Sequence, residues 1–166
     1  MTENIQGTEM HFREATGKDI PQLAIHHRKM FEEIWGKKGE MIEASKSERM
    51  EEVYRLKLEQ QFIDGTCKAW VIENNKSLMA SGAITIISYV PTPDDFSHRV
   101  AYLHSMYTEK AFRNNRFANR IVERIIEFCK KNGIKRVILN ASEAGKPIYE
   151  RIGFRSAPET MRLFIE

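Results

Sequence analysis

The sequence predicts one α/β domain built on a mixed, mostly antiparallel central sheet with helices on both faces. Its 166 residues suit a single domain with a sizeable core. The adjacent apolar segments "CKAWVIENN" and "SLMASGAITIIS" predict antiparallel strands joined by a turn. Further on, an apolar strand, a helical stripe and a second apolar strand follow one another. That order predicts a β-α-β crossover and therefore one parallel pair of strands.

The N-terminal half reads as a strand followed by two helices. "FREAT" predicts the first strand, and two capping boxes, Asp19 with Gln22 and Ser45 with Glu48, predict the helix starts. Apolar side chains recur at helical spacing after the first box. Residues 1–10 are predicted to be a flexible tail of the same domain.

The C-terminal half contains the crossover. "RVAYLHSMYT" predicts a strand, and the apolar stripe from Phe117 to Cys129 predicts a helix that ends at Asn132 and Gly133. "KRVILNAS" predicts the next strand, and "GKPIYERIG" predicts a short helix with Pro147 in its first turn. "FRS" and "TMRLFIE" predict two closing strands.

The composition argues against several classes of function but does not identify one. The net charge is +3, whereas nucleic-acid-binding proteins usually carry a stronger and more clustered excess. Cys67 and Cys129 lie too far apart for a metal-ligand spacing, so we expect two core side chains and no metal site. No apolar run is long enough to cross a membrane and no secretion signal is present, so we expect a cytoplasmic protein.

The segment "FRNNRFAN" joins a predicted strand to a predicted helix and contains no glycine. Lys110, Arg113, Arg116 and Arg120 surround the first helical turn, and no acid lies between Lys110 and Glu123. Cations at a helix N-terminus oppose the helix dipole, by about 0.3–1 kcal/mol each. Solvated arginines can tolerate that cost, whereas a bound anion would reverse its sign. A nucleic-acid-binding face is a third, weaker interpretation.

A longer stretch carries a family resemblance. "LHSMYTEKAFRNNRFANRIVERIIEFCKKNGIKRVILNASEAGKPIYERIGF" resembles the acetyl-coenzyme A-binding half of the GCN5-related N-acetyltransferases (GNAT superfamily). In that family the loop follows Arg/Gln-x-x-Gly-x-Gly/Ala, after a strand with a bulge. Arg113 falls on its first position and Ala118 on its last. The family's tyrosine, four residues before Gly-Phe, falls on Tyr149.

The resemblance implies direct acetyl transfer from acetyl-CoA, as cosubstrate, to a primary amine, with no covalent intermediate. Tyr149 is then the acid that protonates the leaving thiolate, and His104 is the candidate base, with a chain of water molecules as the alternative. "AYLHSMYTEKAFRNN" is also similar to the arylalkylamine N-acetyltransferases, where a histidine falls at the place of His104. The implied cofactor-binding residues are Met106, Tyr107, Thr108, Arg113, Asn114, Asn115, Arg116, Phe117, Ala118, Asn119, Asn140, Ser142 and Lys146.

The implied partners follow from the same resemblance. We expect a small-molecule or peptide amine as acceptor, bound between the two N-terminal helices and the Pro91–Phe96 loop, no nucleic acid, no membrane, and a homodimer. The acids Glu32, Glu33, Glu40 and Glu43 are candidates to attract a cationic amine, although acids on helix surfaces are usually solvated. Arg116 stands where the family has glycine, which raises the alternative of a catalytically silent acyl-CoA-binding or regulatory module.

Overall fold

The computed structural model describes residues 2–5, 8–75, 77–157 and 161–165. Its elements are β1 (Thr2–Ile5), β2 (Thr8–Glu14), α1 (Ile20–Lys37), α2 (Ala44–Ile63), β3 (Cys67–Asn74), β4 (Leu78–Ser88), β5 (Arg99–Thr108), α3 (Phe117–Lys131), β6 (Val137–Leu139) and α4 (Lys146–Ile152). Short 3₁₀ turns at Gly17–Asp19 and Lys110–Phe112 precede α1 and α3.

The strands form one sheet in the order β1-β2-β3-β4-β5-β6. All neighbours are antiparallel except β5 and β6, which are parallel because α3 returns the chain between them. One apolar cluster packs α1 and α2 on one face, and a second packs α3 and α4 on the other. The predicted mixed, mostly antiparallel sheet with a crossover and two covered faces is confirmed.

Helix α3 forms where the apolar stripe at helical spacing predicted it. Ile121, Val122 and Ile125 have no exposed surface and pack against the sheet. Burial of such side chains contributes about 1.5–3 kcal/mol each. The helix ends at Asn132 and Gly133, as predicted, and Gly133 has φ +67°, the left-handed conformation that glycine adopts most easily.

The two predicted capping boxes are wrong. Asp19 occupies the N-cap position of α1, as predicted, but its side chain does not cap the helix. Its carboxylate instead accepts a bond from the Thr16 N–H at 2.7 Å and pairs with Arg13 at 2.8 Å. The Arg13 guanidinium holds the pKa of Asp19 below its usual value, aided by the Thr16 N–H. In α2 the N-cap position is Glu43, with no side-chain cap, because the chain enters the helix before Ser45.

Both chain ends differ from the sequence prediction. Thr2–Ile5 pairs antiparallel with Thr8–His11, where a tail was predicted. The described parts of the predicted closing strands, residues 154–156 and 161–165, form no strand, and residues 160 and 166 lie outside the described residues. After Gly153, at φ +112°, the chain turns so that the Phe154 ring packs on Tyr149 at 5.6 Å instead of entering the sheet.

Across the part of the chain that the structure describes, no helix has both the length and the apolar character needed to span a bilayer.

Candidate active site

Strand β5 carries a bulge in its second half. His104 pairs with Ala83 and Tyr107 pairs with Ser81, so Ser105 and Met106 together lie opposite the single residue Gly82. Ser105 has φ +55°, a left-handed conformation that a side chain disfavours. A bulge of this kind bends its strand and re-aims the neighbouring backbone. The bulge that accompanies the resemblance is therefore present.

Gly82 leaves room for the side chains that pack against it opposite the bulge. A Cβ atom at Gly82 would lie 2.6 Å from Met106 Cε and 2.8 Å from Ile121 Cγ2. Met106 thus packs toward α3, in the same cluster as Ile121, while the Ser105 hydroxyl contacts His27 of α1. The two bulge residues project to opposite faces of the sheet.

The parallel strands β5 and β6 separate just before the bulge. They pair only over Ala101–Leu103 and Val137–Leu139, whereas β5 continues to Thr108. The edge of β5 from His104 onward therefore has no strand partner on the β6 side among the described residues. Backbone groups on such an edge are available to an extended ligand.

The loop between β5 and α3 presents a run of unpaired donors. Within the described chain, the backbone N–H groups of Asn114 to Asn119 have no hydrogen-bond partner. The Arg120 N–H is the first with a helical partner, the Arg116 carbonyl at 3.1 Å. Asn114 and Arg116 have φ +69° and +58°. Arg116 thus adopts a glycine-like conformation, and the loop can receive an anion through backbone donors.

Several side chains predicted to contact the cofactor already have protein partners. Arg113 bonds both carboxylate oxygens of Glu33, at 2.9 and 2.7 Å, and its Nε donates to the Thr108 carbonyl at 3.0 Å. Asn140 Nδ2 donates to Tyr102 Oη at 3.1 Å. The other two pairs join the Gly145 N–H to Ser142 Oγ at 3.2 Å and Lys146 to Glu150 at 3.9 Å. Arg116 is exposed, with no ion pair among the residues that the structure describes.

Tyr149 of α4 lies at the boundary of the core. Its ring packs on Phe154 and belongs to the apolar cluster that also contains Met106. Burial raises its pKa to about 12, so the phenol is protonated at neutral pH. Its hydroxyl has no hydrogen-bond partner in the described part of the protein, and it is half-buried rather than enclosed.

His104 is held on both sides of its ring. Its Nδ1 lies 3.1 Å from Tyr54 Oη and 3.0 Å from Ser105 Oγ, and its Nε2 lies 2.9 Å from Thr85 Oγ1. Burial, with smaller contributions from Lys57 and His27, lowers its pKa to about 3. At neutral pH the ring is therefore uncharged.

Several residues that lie around the predicted site residues were not identified as site residues from the sequence. His27 Nδ1 lies 2.8 Å from Ser105 Oγ, and its ring stacks on Tyr54 at 3.8 Å. Ser105 follows His104 directly, but a single serine in a strand carries no signal of a bulge. Glu33 entered the sequence prediction only as one of several helix acids, because its pairing with Arg113 spans 80 residues.

A groove of about 1120 Å³ lies between α1 and the β5–α3 connection. Lys29, Glu33, Tyr107, Glu109 and Arg113 are among the residues that line it. It includes Tyr107 and Arg113 from the predicted cofactor residues, but neither Tyr149 nor the loop from Asn114 to Asn119. Its charges are largely neutralised, since Lys29 pairs with Glu109 at 2.6 Å and Arg113 with Glu33.

Comparison with known proteins defines the class. The profile of the acetyltransferase (GNAT) family matches residues 28–154, more than half of the chain. The chain belongs to this family.

Two solved structures show the same fold over nearly the whole chain. A predicted acetyltransferase with acetyl-CoA from Clostridium acetobutylicum is 25% identical, with a TM-score of 0.81 over 93% of this chain and 96% of that one. A GCN5-related N-acetyltransferase from Ralstonia eutropha JMP134 is 22% identical, with a TM-score of 0.83 over 93% and 98%.

A curated relative matches over a shorter region. Glucosamine 6-phosphate N-acetyltransferase of Trypanosoma brucei brucei is 28% identical over 64 residues, which are 39% of this chain and 44% of that protein. The match therefore spans less than half of the relative's length. The family assignment rests on the longer matches.

Proposed function

We propose that this protein transfers an acetyl group from acetyl-CoA to a primary amine by direct attack, without a covalent intermediate. The observation that supports this most is the set of unpaired N–H groups from Asn114 to Asn119, which lies just after the strand edge that β6 leaves unpaired. A pyrophosphate fits the first feature, and an extended amide-containing arm fits the second. The family membership makes acetyl-CoA the natural occupant.

The proposed cofactor contacts divide by type of group. Backbone groups of Met106, Tyr107 and Thr108 would bind the arm and orient the acetyl carbonyl. The loop, comprising Arg113, Asn114, Asn115, Arg116, Phe117, Ala118 and Asn119, would bind the phosphates. Asn140 and Ser142 would contact the arm from the end of β6, and Lys146 would reach the phosphates or the adenosine.

Tyr149 is the proposed general acid. Direct transfer expels a thiolate, which becomes a better leaving group when a nearby acid supplies a proton. Its hydroxyl has no partner in the described chain and is therefore available to donate to a ligand. Burial raises the pKa of the phenol to about 12, which keeps it protonated but makes it a weaker acid until a bound ligand changes its surroundings.

His104 remains a predicted base, but two observations favour the water chain. Both of its ring nitrogens lie within hydrogen-bond distance of protein oxygens. Its pKa of about 3 makes it a weak acceptor for the proton of an attacking amine. We therefore propose that the proton leaves through water molecules.

The acceptor is proposed only as a class, a small-molecule or peptide amine. A hexosamine phosphate belongs in a test panel because the curated relative is a glucosamine 6-phosphate N-acetyltransferase. A homodimer also remains a proposal, as does a cytoplasmic location. Met161, Leu163, Phe164 and Ile165 are more than four-fifths exposed and provide apolar surface for a subunit contact.

Two measurements test the proposed function. Calorimetry with acetyl-CoA should show saturable binding, and a panel of alkyl, aryl, hexosamine and peptide amines should give amine-dependent release of thiol. Binding without release for any amine would favour the silent acyl-CoA-binding module, and absence of binding would contradict both.

Substitution of Arg116 tests the phosphate-binding loop. Arg116→Gly should raise the free energy of unfolding by about 0.5–1 kcal/mol, because glycine adopts the left-handed conformation without strain. Acetyl-CoA binding should stay within about threefold, since the backbone donors remain. Arg116→Glu should weaken binding about tenfold by placing an anion beside the phosphates.

Arg155→Gly is the matched control, because Arg155 is also exposed but lies outside the positive-φ residues. It should give no gain in stability. Loss of binding on Arg116→Gly as large as on Arg116→Glu would show that the guanidinium, not the backbone, holds the ligand.

A further inference from the structure

Polar side chains from three elements meet on the face of the sheet opposite α3. His27 of α1, Tyr54 of α2 and His104 of β5 surround the hydroxyl of Ser105, which is 5% exposed as a residue. The cluster lies directly at the β5 bulge. Tyr54 is also buried, so these groups lie inside the protein and not on its solvated surface.

The conformation of Ser105 requires an explanation. A serine at φ +55° is strained unless other contacts hold it there. Its Oγ lies 2.8 Å from His27 Nδ1 and 3.0 Å from His104 Nδ1. A hydroxyl donates one hydrogen bond and accepts others, so one imidazole nitrogen can accept a hydrogen bond from it while the other donates one to it. Both contacts are therefore compatible.

We propose that Ser105 is a positioning residue, whose hydroxyl, held between His27 and His104, keeps the β5 bulge left-handed and thereby orients the backbone of Met106 to Thr108. This inference rests on the proposed function only where it concerns the cofactor arm. In this proposal His104 supports the bulge through its contact with Ser105. Thr85 Oγ1 contacts the Nε2 atom of His104 and holds the imidazole ring in place. The bulge and its side-chain support form one unit.

Two substitutions separate the hydroxyl from the backbone. Ser105→Ala removes both hydrogen bonds but keeps a Cβ, so nothing then supports the left-handed conformation. Ser105→Gly removes the same bonds but adopts that conformation easily. Acetyl-CoA affinity, measured by calorimetry at a temperature where each variant is folded, should fall about three- to tenfold for Ser105→Ala. It should stay within about twofold for Ser105→Gly.

A double-mutant cycle tests whether His27 supports the bulge through Ser105. His27→Phe keeps an aromatic ring on Tyr54 but removes Nδ1. It should weaken acetyl-CoA binding about threefold in the Ser105 protein and have no measurable effect in the Ser105→Gly protein. Ser88→Ala, an exposed serine of β4, is the control and should change neither affinity nor coupling.

Hydrogen exchange gives a readout that does not depend on the ligand. Amides of Leu103–Thr108 should exchange faster in Ser105→Ala than in the unmodified protein, even if acetyl-CoA fails to bind either. Equal loss of affinity in the alanine and glycine variants, or unchanged exchange in Ser105→Ala, would overturn the inference. Failure of the unmodified protein to bind acetyl-CoA would instead contradict the proposed function, and the exchange result would still decide the role of Ser105.

Discussion

Tyr149→Phe should lower kcat about 100-fold while leaving the affinity for acetyl-CoA near that of the unmodified protein. The substitution removes the only atom of this side chain that can donate a proton. It keeps the ring that packs on Phe154 and on the second core cluster, so the fold should be preserved. Steady-state kinetics with the best amine of the panel, together with calorimetry, measure the two quantities separately.

Tyr89→Phe provides the matched control, because Tyr89 is 45% exposed on the β4–β5 connection and contacts Arg136 rather than the core. Its kcat should not change. If Tyr149→Phe also had an unchanged kcat, Tyr149 would have no part in the chemistry. A large loss of acetyl-CoA affinity without a change in kcat would assign it to binding instead.

Local patterns in the sequence predicted the crossover, helix α3 and the position of the loop before it. The crossover and helix α3 followed from an apolar stripe whose members, such as Ile121 and Ile125, are fully buried. Such periodicity depends on neighbours three or four residues apart, which the sequence shows directly. The loop at Asn114–Asn119 could be located for the same reason, since it is bounded by a recognisable strand and helix.

The details that sequence reasoning missed depend on contacts between distant segments. Arg13 draws Asp19 away from a capping role while also binding Glu73, which is 60 residues further along the chain. Ser105 is held by His27, which is 78 residues away. The closing strands were predicted from two short local segments, but strand formation also needs an available edge and a register, which a local segment does not provide.

Acid should destabilise this protein steeply, because one buried and two partly buried histidines are uncharged in the folded state. Burial lowers the pKa of His26 and of His27 to about 4 and that of His104 to about 3, from an ordinary value of 6.5. His26 faces Glu109 at 3.4 Å, with Lys29 bonded to the same carboxylate, and Lys57 lies near the other two. No favourable charge fully compensates protonation of these rings.

The direction of this pH dependence follows from proton binding by the folded and unfolded chains. Between pH 6.5 and about 4 the unfolded chain binds protons on these histidines that the folded chain does not bind. The free energy of unfolding should therefore fall as the pH falls, approaching about 1.4 kcal/mol per pH unit for each histidine. Urea unfolding at several pH values between 7 and 5 measures this slope.

His27→Phe should reduce the slope by the contribution of one histidine, because the ring stays stacked on Tyr54 but no longer titrates. His98→Asn, which removes an exposed histidine of the β4–β5 connection, is the control and should leave the slope unchanged. An identical slope in His27→Phe and the unmodified protein would show that His27 is protonated to the same extent in the folded and unfolded chains. Since His27 is also a support of the β5 bulge, its neutral form links acid sensitivity to the geometry of the site.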